Sequence, residues 1–334
     1  MPPLHSEITE IFTGLGTLFE TIDDALAAMP TELVFVSEET WKRICDAYRQ
    51  ERDRRLFTAS FQNGQALYQA SEGLRNRRPL LIEWKGPHRP PGDDTIPADL
   101  RIDHVYLVSC KYISKVLLNP SPHRLFRGLL LNEERSTENW FAVTAPEAFQ
   151  RFYEATLYHL DLSHFPTDPV ALTKEHKRHL KSALSDRQLP NETLRSQWQD
   201  LCSVVSNESA HIWSSRLTSS ALQLRLLWRM LRIGGASYFV LGVDRRNHLR
   251  FRVSSTWDWT QRFELTALTV APGSAGQPEV KWRATIVERR TNHSSIINGH
   301  IEIRWSHGRF AGAPEAKVYL DSPLETVPGY ERLT

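Results

Sequence analysis

The chain has 334 residues, more than one hydrophobic core ordinarily holds, so at least two domains are expected. Its 41 Lys and Arg against 39 Asp and Glu leave a formal charge of +2, which permits a polyanionic partner in a local groove without demanding one. Cys45, Cys110 and Cys202 are too few and too scattered for a disulfide framework or a cysteine zinc site, which fits a reducing cytoplasm; no apolar run approaches a membrane span, and the amino terminus shows no signal-peptide core.

In chain order, Ile8, Ile11, Phe12, Leu15 and Leu18 recur at helical spacing and predict a helix over 6–28. Leu33 to Val36 reads as a short strand. Ser37-Glu38-Glu39-Thr40 then starts a charged helix reaching about Arg55, whose charges are most simply a solvated face. Asn63 is placed as the cap of a following helix with Ala66, Leu67, Ala70 and Leu74 buried and Glu72 beside them. Pro79 to Lys85 is a strand on which Glu83 and Lys85 share a face with Leu81, closed by turn residues Gly86, Pro87, Pro90, Pro91 and Gly92.

The stretch Pro97-Ala98-Asp99-Leu100-Arg101-Ile102-Asp103-His104-Val105-Tyr106-Leu107-Val108-Ser109-Cys110-Lys111 carries the chemistry. From Val105 to Val108 both faces are apolar, as in a central strand covered on two sides, yet the run continues into Ser109 and Lys111. An unpaired buried ammonium is costly, so Lys111 calls for a carboxylate, a phosphate or a metal-bound water. The structural alternative is an ion pair with Asp99 or Asp103.

These residues resemble the PD-(D/E)XK nuclease superfamily, the fold of many restriction endonucleases and repair nucleases. There, an aspartate at the start of one strand and an acidic-x-lysine triplet on the next bind one or two magnesium ions, and an upstream helix often adds a glutamate. Asp99 after Pro97 matches the aspartate, and Ser109-Cys110-Lys111 matches the triplet with serine in the acidic position. That departure leaves the second carboxylate to Glu83 or Glu72. The resemblance covers about residues 60 to 130. It implies Mg2+ (or Mn2+) held by Asp99, by Glu83 or Glu72 and by the Cys110 carbonyl, with Lys111 activating water or stabilising charge.

Beyond a helix capped by Ser121 with Pro122 in its first turn, residues 144–232 read as helical: Thr144-Ala145-Pro146-Glu147 has the form of a capping box, and helices are predicted at 172–184, 192–205 and 220–232, the last stopping at Gly234-Gly235. From Ala236 the period becomes two. Strands are predicted at 238–243, 249–253, 263–270, 280–287, 296–305 and 317–320, in one antiparallel sheet with turns at Asp244-Arg245-Arg246-Asn247 and Asn298-Gly299. This region interleaves Arg245, Arg246, Arg250, Arg252 and Arg304 with Trp257, Trp259, Trp282 and Trp305, a pattern that can track phosphates and stack bases, although half-solvated strands look the same. His300 and His307 are separated by an odd number of strand residues and do not share a metal. Cys110 with His104 lacks a third group to orient a thiol dyad.

The expectation is an α/β protein: a restriction-endonuclease-like mixed sheet flanked by helices over 1–140, a helical connector over 141–235 and a β-rich region over 236–334 that binds nucleic acid or a partner. Its expected activity is metal-dependent hydrolysis of DNA by Asp99, Lys111 and Glu83, with Arg250, Arg252 and Arg304 on the nucleic acid, in a cytoplasmic restriction or phage-defence setting that admits a protein partner or a homodimer. The competing reading is a non-catalytic nucleic-acid-binding or assembly subunit on a degenerate nuclease fold.

Overall fold

The structure is a computed structural model that describes residues 4–51, 53–86, 96–112, 116–128, 138–184, 189–244, 247–274 and 276–334. Its strands are β1 (Leu33–Val34), β2 (Ile82–Trp84), β3 (Leu100–Ile102), β4 (Tyr106–Tyr112), β5 (Val116–Leu118), β6 (Tyr238–Asp244), β7 (Asn247–Val253), β8 (Phe263–Ser274), β9 (Pro278–Glu288), β10 (Ser294–Arg304), β11 (Glu315–Leu320) and β12 (Tyr330–Arg332). The α-helices are α1 (Leu4–Leu15), α2 (Ile22–Ala28), α3 (Glu38–Arg49), α4 (Arg54–Gln69), α5 (Trp140–Thr144), α6 (Pro146–His159), α7 (Lys174–Ala183), α8 (Glu192–Arg216), α9 (Ser220–Met230) and α10 (Thr256–Arg262). The protein is thus α/β, with one mixed and one antiparallel sheet. No helix among the described residues is long and apolar enough to cross a membrane.

Two compact units share the chain: one comprises Met1–Lys115, Arg232–Phe263 and Pro323–Thr334, the other Val116–Leu231 and Glu264–Ser322. The three consecutive segments read from the sequence are therefore distributed over two discontinuous units.

In the first unit the sheet order is β1-β2-β3-β4-β6-β7-β12. Strands β2, β3 and β4 form an antiparallel meander, β6 joins β4 in parallel, and β7 and β12 continue antiparallel. Ile8, Ile11, Phe12 and Leu15 of α1 and Phe57, Phe61 and Leu67 of α4 bury their stripes against Ile82, Trp84, Leu100, Ile102, Val108, Phe239 and Leu241. Each such side chain taken from water contributes about 1.5–3 kcal/mol. The two helices meet at backbone distance: a Cβ on Gly16 would lie 2.1 Å from the Phe61 carbonyl oxygen, and one on Gly64 would lie 2.1 Å from that of Thr13.

The helix predicted over 6–28 is two helices, because the chain turns at Gly16 and restarts where the Thr21 side chain accepts the Asp24 N–H. Ser37 does cap α3, but that helix ends at Arg49, short of Arg55, since Glu51 and Asp53 take left-handed φ of 55°. Asn63 is consequently no cap. It lies inside α4, fully buried, where its amide donates to the Tyr112 hydroxyl and the Gly242 carbonyl and its oxygen meets His248 and Arg250. Glu72 falls beyond the helix end at Gln69.

The stretch from Asp99 is a hairpin, not one strand: Asp103 and His104 have φ of 48° and 60°, and β4 folds back on β3. Val105 sits at its tip, 72% exposed instead of covered. The turn residues Pro87, Pro90, Pro91, Gly92, Arg245 and Arg246 lie outside the described residues.

In the second unit the order is β5-β11-β10-β9-β8. Val280, Trp282, Ala284, Ile286, Ile297, Ile301 and Ile303 form the buried face of its antiparallel sheet, and α8 lies along β9, with the Ser206 hydroxyl accepting the Glu279 N–H. The predicted single carboxy-terminal sheet is corrected here: β6 and β7 belong to the first unit's sheet, because the parallel β4–β6 pairing captures them. Asn298-Gly299 is likewise no turn. Both residues pair inside β10, where a Cβ on Gly299 would strike the Trp282 ring at 2.2 Å. Nor does Thr144 form a capping box; its hydroxyl donates to the Trp140 carbonyl at the end of α5, and α6 begins at Pro146.

Candidate functional site

Because Ile82, Trp84, Leu100, Ile102, Val108, Phe239 and Leu241 face α1 and α4, strand alternation sends Glu83, Arg101, Ser109, Lys111 and Tyr238 to the other face of the first unit's sheet. Asp99 enters that face just before β3 and is 6% exposed. Backbone fixes it: its N–H donates to the Val108 carbonyl at 2.7 Å, its carbonyl accepts the Lys85 N–H at 2.9 Å, and its Oδ2 accepts the Cys110 N–H at 2.5 Å. Asp99 is thus clamped to the triplet strand through Cys110, whose side chain packs with the α1 and α4 core.

Ser109 is fully buried on β4, and its hydroxyl has no hydrogen-bond partner among the described residues. An unmet buried hydroxyl costs about 1–3 kcal/mol, so its place on the Asp99 face calls for a compensating ligand. Lys111 follows two residues on and pairs with Gly242 of β6. Only glycine fits at 242, since a Cβ would lie 1.8 Å from the Lys111 carbonyl oxygen. Asp103 serves the opposite end of β4, where its Oδ1 accepts the N–H groups of Leu80 and Leu81 at 2.8 and 2.9 Å. It cannot partner Lys111, which stands about five strand residues beyond Tyr106, or roughly 17 Å.

The deep wall of this face is aromatic. Burial pushes the Tyr238 phenol well above its ordinary value, with the neighbouring Tyr330 and the Asp99 carboxylate adding to the shift. Tyr330 is likewise pushed up to about 12, first by burial. Both phenols therefore stay neutral, Tyr238 beside the Asp99 charge.

Glu83 lies on the same face but is committed elsewhere. Arg101, opposite it on β3, holds both carboxylate oxygens, the Nη2–Oε1 contact being 2.6 Å, and His104 Nδ1 approaches to 3.3 Å. The Arg101 hydrogen bonds keep the Glu83 carboxyl below the usual carboxylate range. Glu72 accepts the Thr334 hydroxyl at 2.9 Å. Among the described residues no three His, Cys, Asp or Glu side chains converge as a metal cage. The Asp99 carboxylate and Ser109 hydroxyl are nonetheless hard oxygen donors on one face, and magnesium is often held by a single carboxylate together with waters and substrate phosphate.

The arginines expected on nucleic acid are engaged within the protein. Arg250 donates from Nε to Asn63 Oδ1 at 2.9 Å and from Nη2 to the Gln62 carbonyl at 3.3 Å. Arg252 lies 3.5 Å from Glu331 and 3.9 Å from Asp258, and Arg304 is 3.0 Å from Glu302. His300 pairs with Asp321 at 2.8 Å and His307 with Glu315 at 3.5 Å, so the two serve separate carboxylates.

Sequence reading missed Arg101 as the partner of Glu83. The signal was present, for Ile82-Glu83-Trp84 and Leu100-Arg101-Ile102 each set one charge between two apolar residues, as in a cross-strand ion pair. It also passed over the buried carboxylates of α1: Glu7 pairs with Arg43, and Glu10 accepts the Trp84 indole N–H at 2.7 Å. No family model, curated protein or solved structure matches this chain.

Proposed function

We propose that this protein is a metal-dependent nuclease that hydrolyses DNA phosphodiester bonds at the Asp99–Ser109–Lys111 face, on a sheet of the restriction-endonuclease-like kind. One observation carries the reading: a backbone-clamped buried aspartate, a buried hydroxyl without a partner and a lysine share the same face of two adjacent strands. Asp99 and Ser109 would hold the metal ion, directly or through water. Magnesium, when bound, lowers the pKa of a water nucleophile and neutralises charge on the phosphate. Lys111 would orient the attacking water and hold a proton or stabilise charge at the non-bridging oxygens. The buried Tyr238 would help to keep bulk water away from the Asp99 side of the sheet.

A second reading has its own support. With Glu83 neutralised by Arg101 and serine in the acidic position, the second carboxylate of the resembled family has no evident substitute, which favours a non-catalytic nucleic-acid-binding subunit.

Cleavage of single- and double-stranded DNA in Mg2+ or Mn2+, against chelator, decides between them. The nuclease reading expects metal-dependent products that disappear in Asp99→Asn and Lys111→Ala proteins whose unfolding transitions match the wild type. Full activity in a folded Lys111→Ala protein overturns it, and a wild type that binds DNA but cuts nothing in either metal establishes the binding subunit.

A further inference from the structure

The second unit carries a charge feature that the site above does not use. Helix α7 reads Lys174-Glu175-His176-Lys177-Arg178-His179-Leu180-Lys181-Ser182-Ala183. Lys174, Lys177, Arg178 and Lys181 stand at i, i+3, i+4 and i+7, and at about 100° per residue all four fall within about 100° of arc. Leu180 is the helix's buried residue and lies about 110° round from the centre of the stripe, on the side where the His176 ring packs 4.5 Å from Phe165. A capping box between Thr173 and His176 fixes the start of the helix, and buried Leu172 and Leu184 flank it. Lys174, Arg178 and Lys181 are exposed and Lys177 is half-buried beside the anchored side.

None of the four cations makes an ion pair or a side-chain hydrogen bond among the described residues, although the Lys181 stem lies over Gly308. Their clustering on one helix face is what distinguishes them from single unpaired cations such as Lys42 and Arg290. Arg151, Arg252, Arg262, Arg289 and Arg304 all stand in ion pairs. The stripe also opposes local stability, since like charges at these spacings repel and Lys174 sits at the positive end of the helix dipole. A polyanion relieves both penalties at once.

We propose that α7 is a phosphate-binding helix that takes the backbone of a duplex nucleic acid without reading its sequence. From Lys174 to Lys181 the helix rises about 10.5 Å, the length over which one duplex strand advances by about three phosphates. Three of the four cations are lysines, point charges that suit phosphate and do not favour bidentate base recognition. The stripe holds no apolar residue to enter a bilayer, which argues against a membrane surface. The inference rests on the proposed function only in taking nucleic acid as the ligand.

The test uses the full chain in chelator, so that no cleavage intervenes, with a fluorescein-labelled duplex of arbitrary sequence titrated by anisotropy over a range of salt. A protein carrying Lys174→Gln, Lys177→Gln, Arg178→Gln and Lys181→Gln together is expected to bind more than about tenfold more weakly at low salt. The slope of log affinity against log salt should flatten by about 0.9 for each phosphate that is no longer neutralised. Circular dichroism and thermal unfolding identify a folded variant, and a folded variant with unchanged affinity and slope overturns the inference. Equal binding of the wild type to phosphatidylserine vesicles and to duplex, both abolished in the variant, overturns the assignment to nucleic acid. Weakened duplex binding by the variant upholds it even if the wild type never cuts DNA, whereas unchanged binding by the variant beside a cutting wild type overturns it and leaves the Asp99 site standing.

Discussion

Arg101 lies directly opposite Glu83 across the β2–β3 pair, and its guanidinium takes both oxygens of that nearly buried carboxylate. The contact commits to structure the acid that the sequence offers most readily to a metal ion. It also ties β2 to the strand that positions Asp99.

Glu83→Gln should therefore act on stability first. Losing a charge-assisted pair while Arg101 remains costs about 1.5–3 kcal/mol, read as a lowered denaturation midpoint in urea. Because the folded pKa of Glu83 is depressed by Arg101, its contribution is fully present above the ordinary glutamate value, about 4.3, and is lost as pH falls through the folded value. The wild type should lose stability below that pH more steeply than Glu83→Gln. Metal affinity should fall in Asp99→Asn and stay at the wild-type level in Glu72→Gln; a weakened Glu72→Gln would bring that residue back as a ligand.

Ser109→Ala separates function from stability. Removing a buried hydroxyl that has no partner should stabilise the fold by up to about 1 kcal/mol, since the desolvation cost of the unmet hydroxyl outweighs the small void its loss leaves. If the hydroxyl serves a bound ion and water, the same substitution lowers DNA cleavage. A stabilised protein with undiminished cleavage would remove Ser109 from the site.

Gly242→Ala tests the support of Lys111. A methyl group 1.8 Å from the Lys111 carbonyl oxygen forces β4 and β6 apart. The expected loss is about 1–3 kcal/mol, with activity falling further than in a surface control such as Lys42→Ala. Wild-type stability in Gly242→Ala would mean that the two strands tolerate separation.

His248 should make stability pH-dependent in mildly acidic solution. Burial, followed by the Arg250 charge, lowers its pKa in the folded chain. The unfolded state then binds the proton first, so stability is complete above the ordinary value of about 6.5 and declines as pH falls toward the folded value. Thermal unfolding between those limits should show this decline, and His248→Gln should flatten it. An unchanged profile in His248→Gln would assign the dependence to another group.

Local pattern determined much of this protein. The α1 stripe from Ile8 to Leu15, the Ser37 cap and the strands at 238–243, 280–287 and 317–320 all follow from period and capping chemistry, which act within a few residues. Tertiary structure alone decided what depends on distant partners. Asn63 reads as a cap until β6 and β7 bring Gly242, His248 and Arg250 to it across more than 170 residues. Glu83 reads as a ligand until the hairpin at Asp103 and His104 sets Arg101 opposite. The parallel pairing of β4 with β6 likewise draws two carboxy-terminal strands into the first sheet, because a parallel neighbour is chosen by a crossover of more than a hundred residues and leaves no mark in the periodicity of either strand.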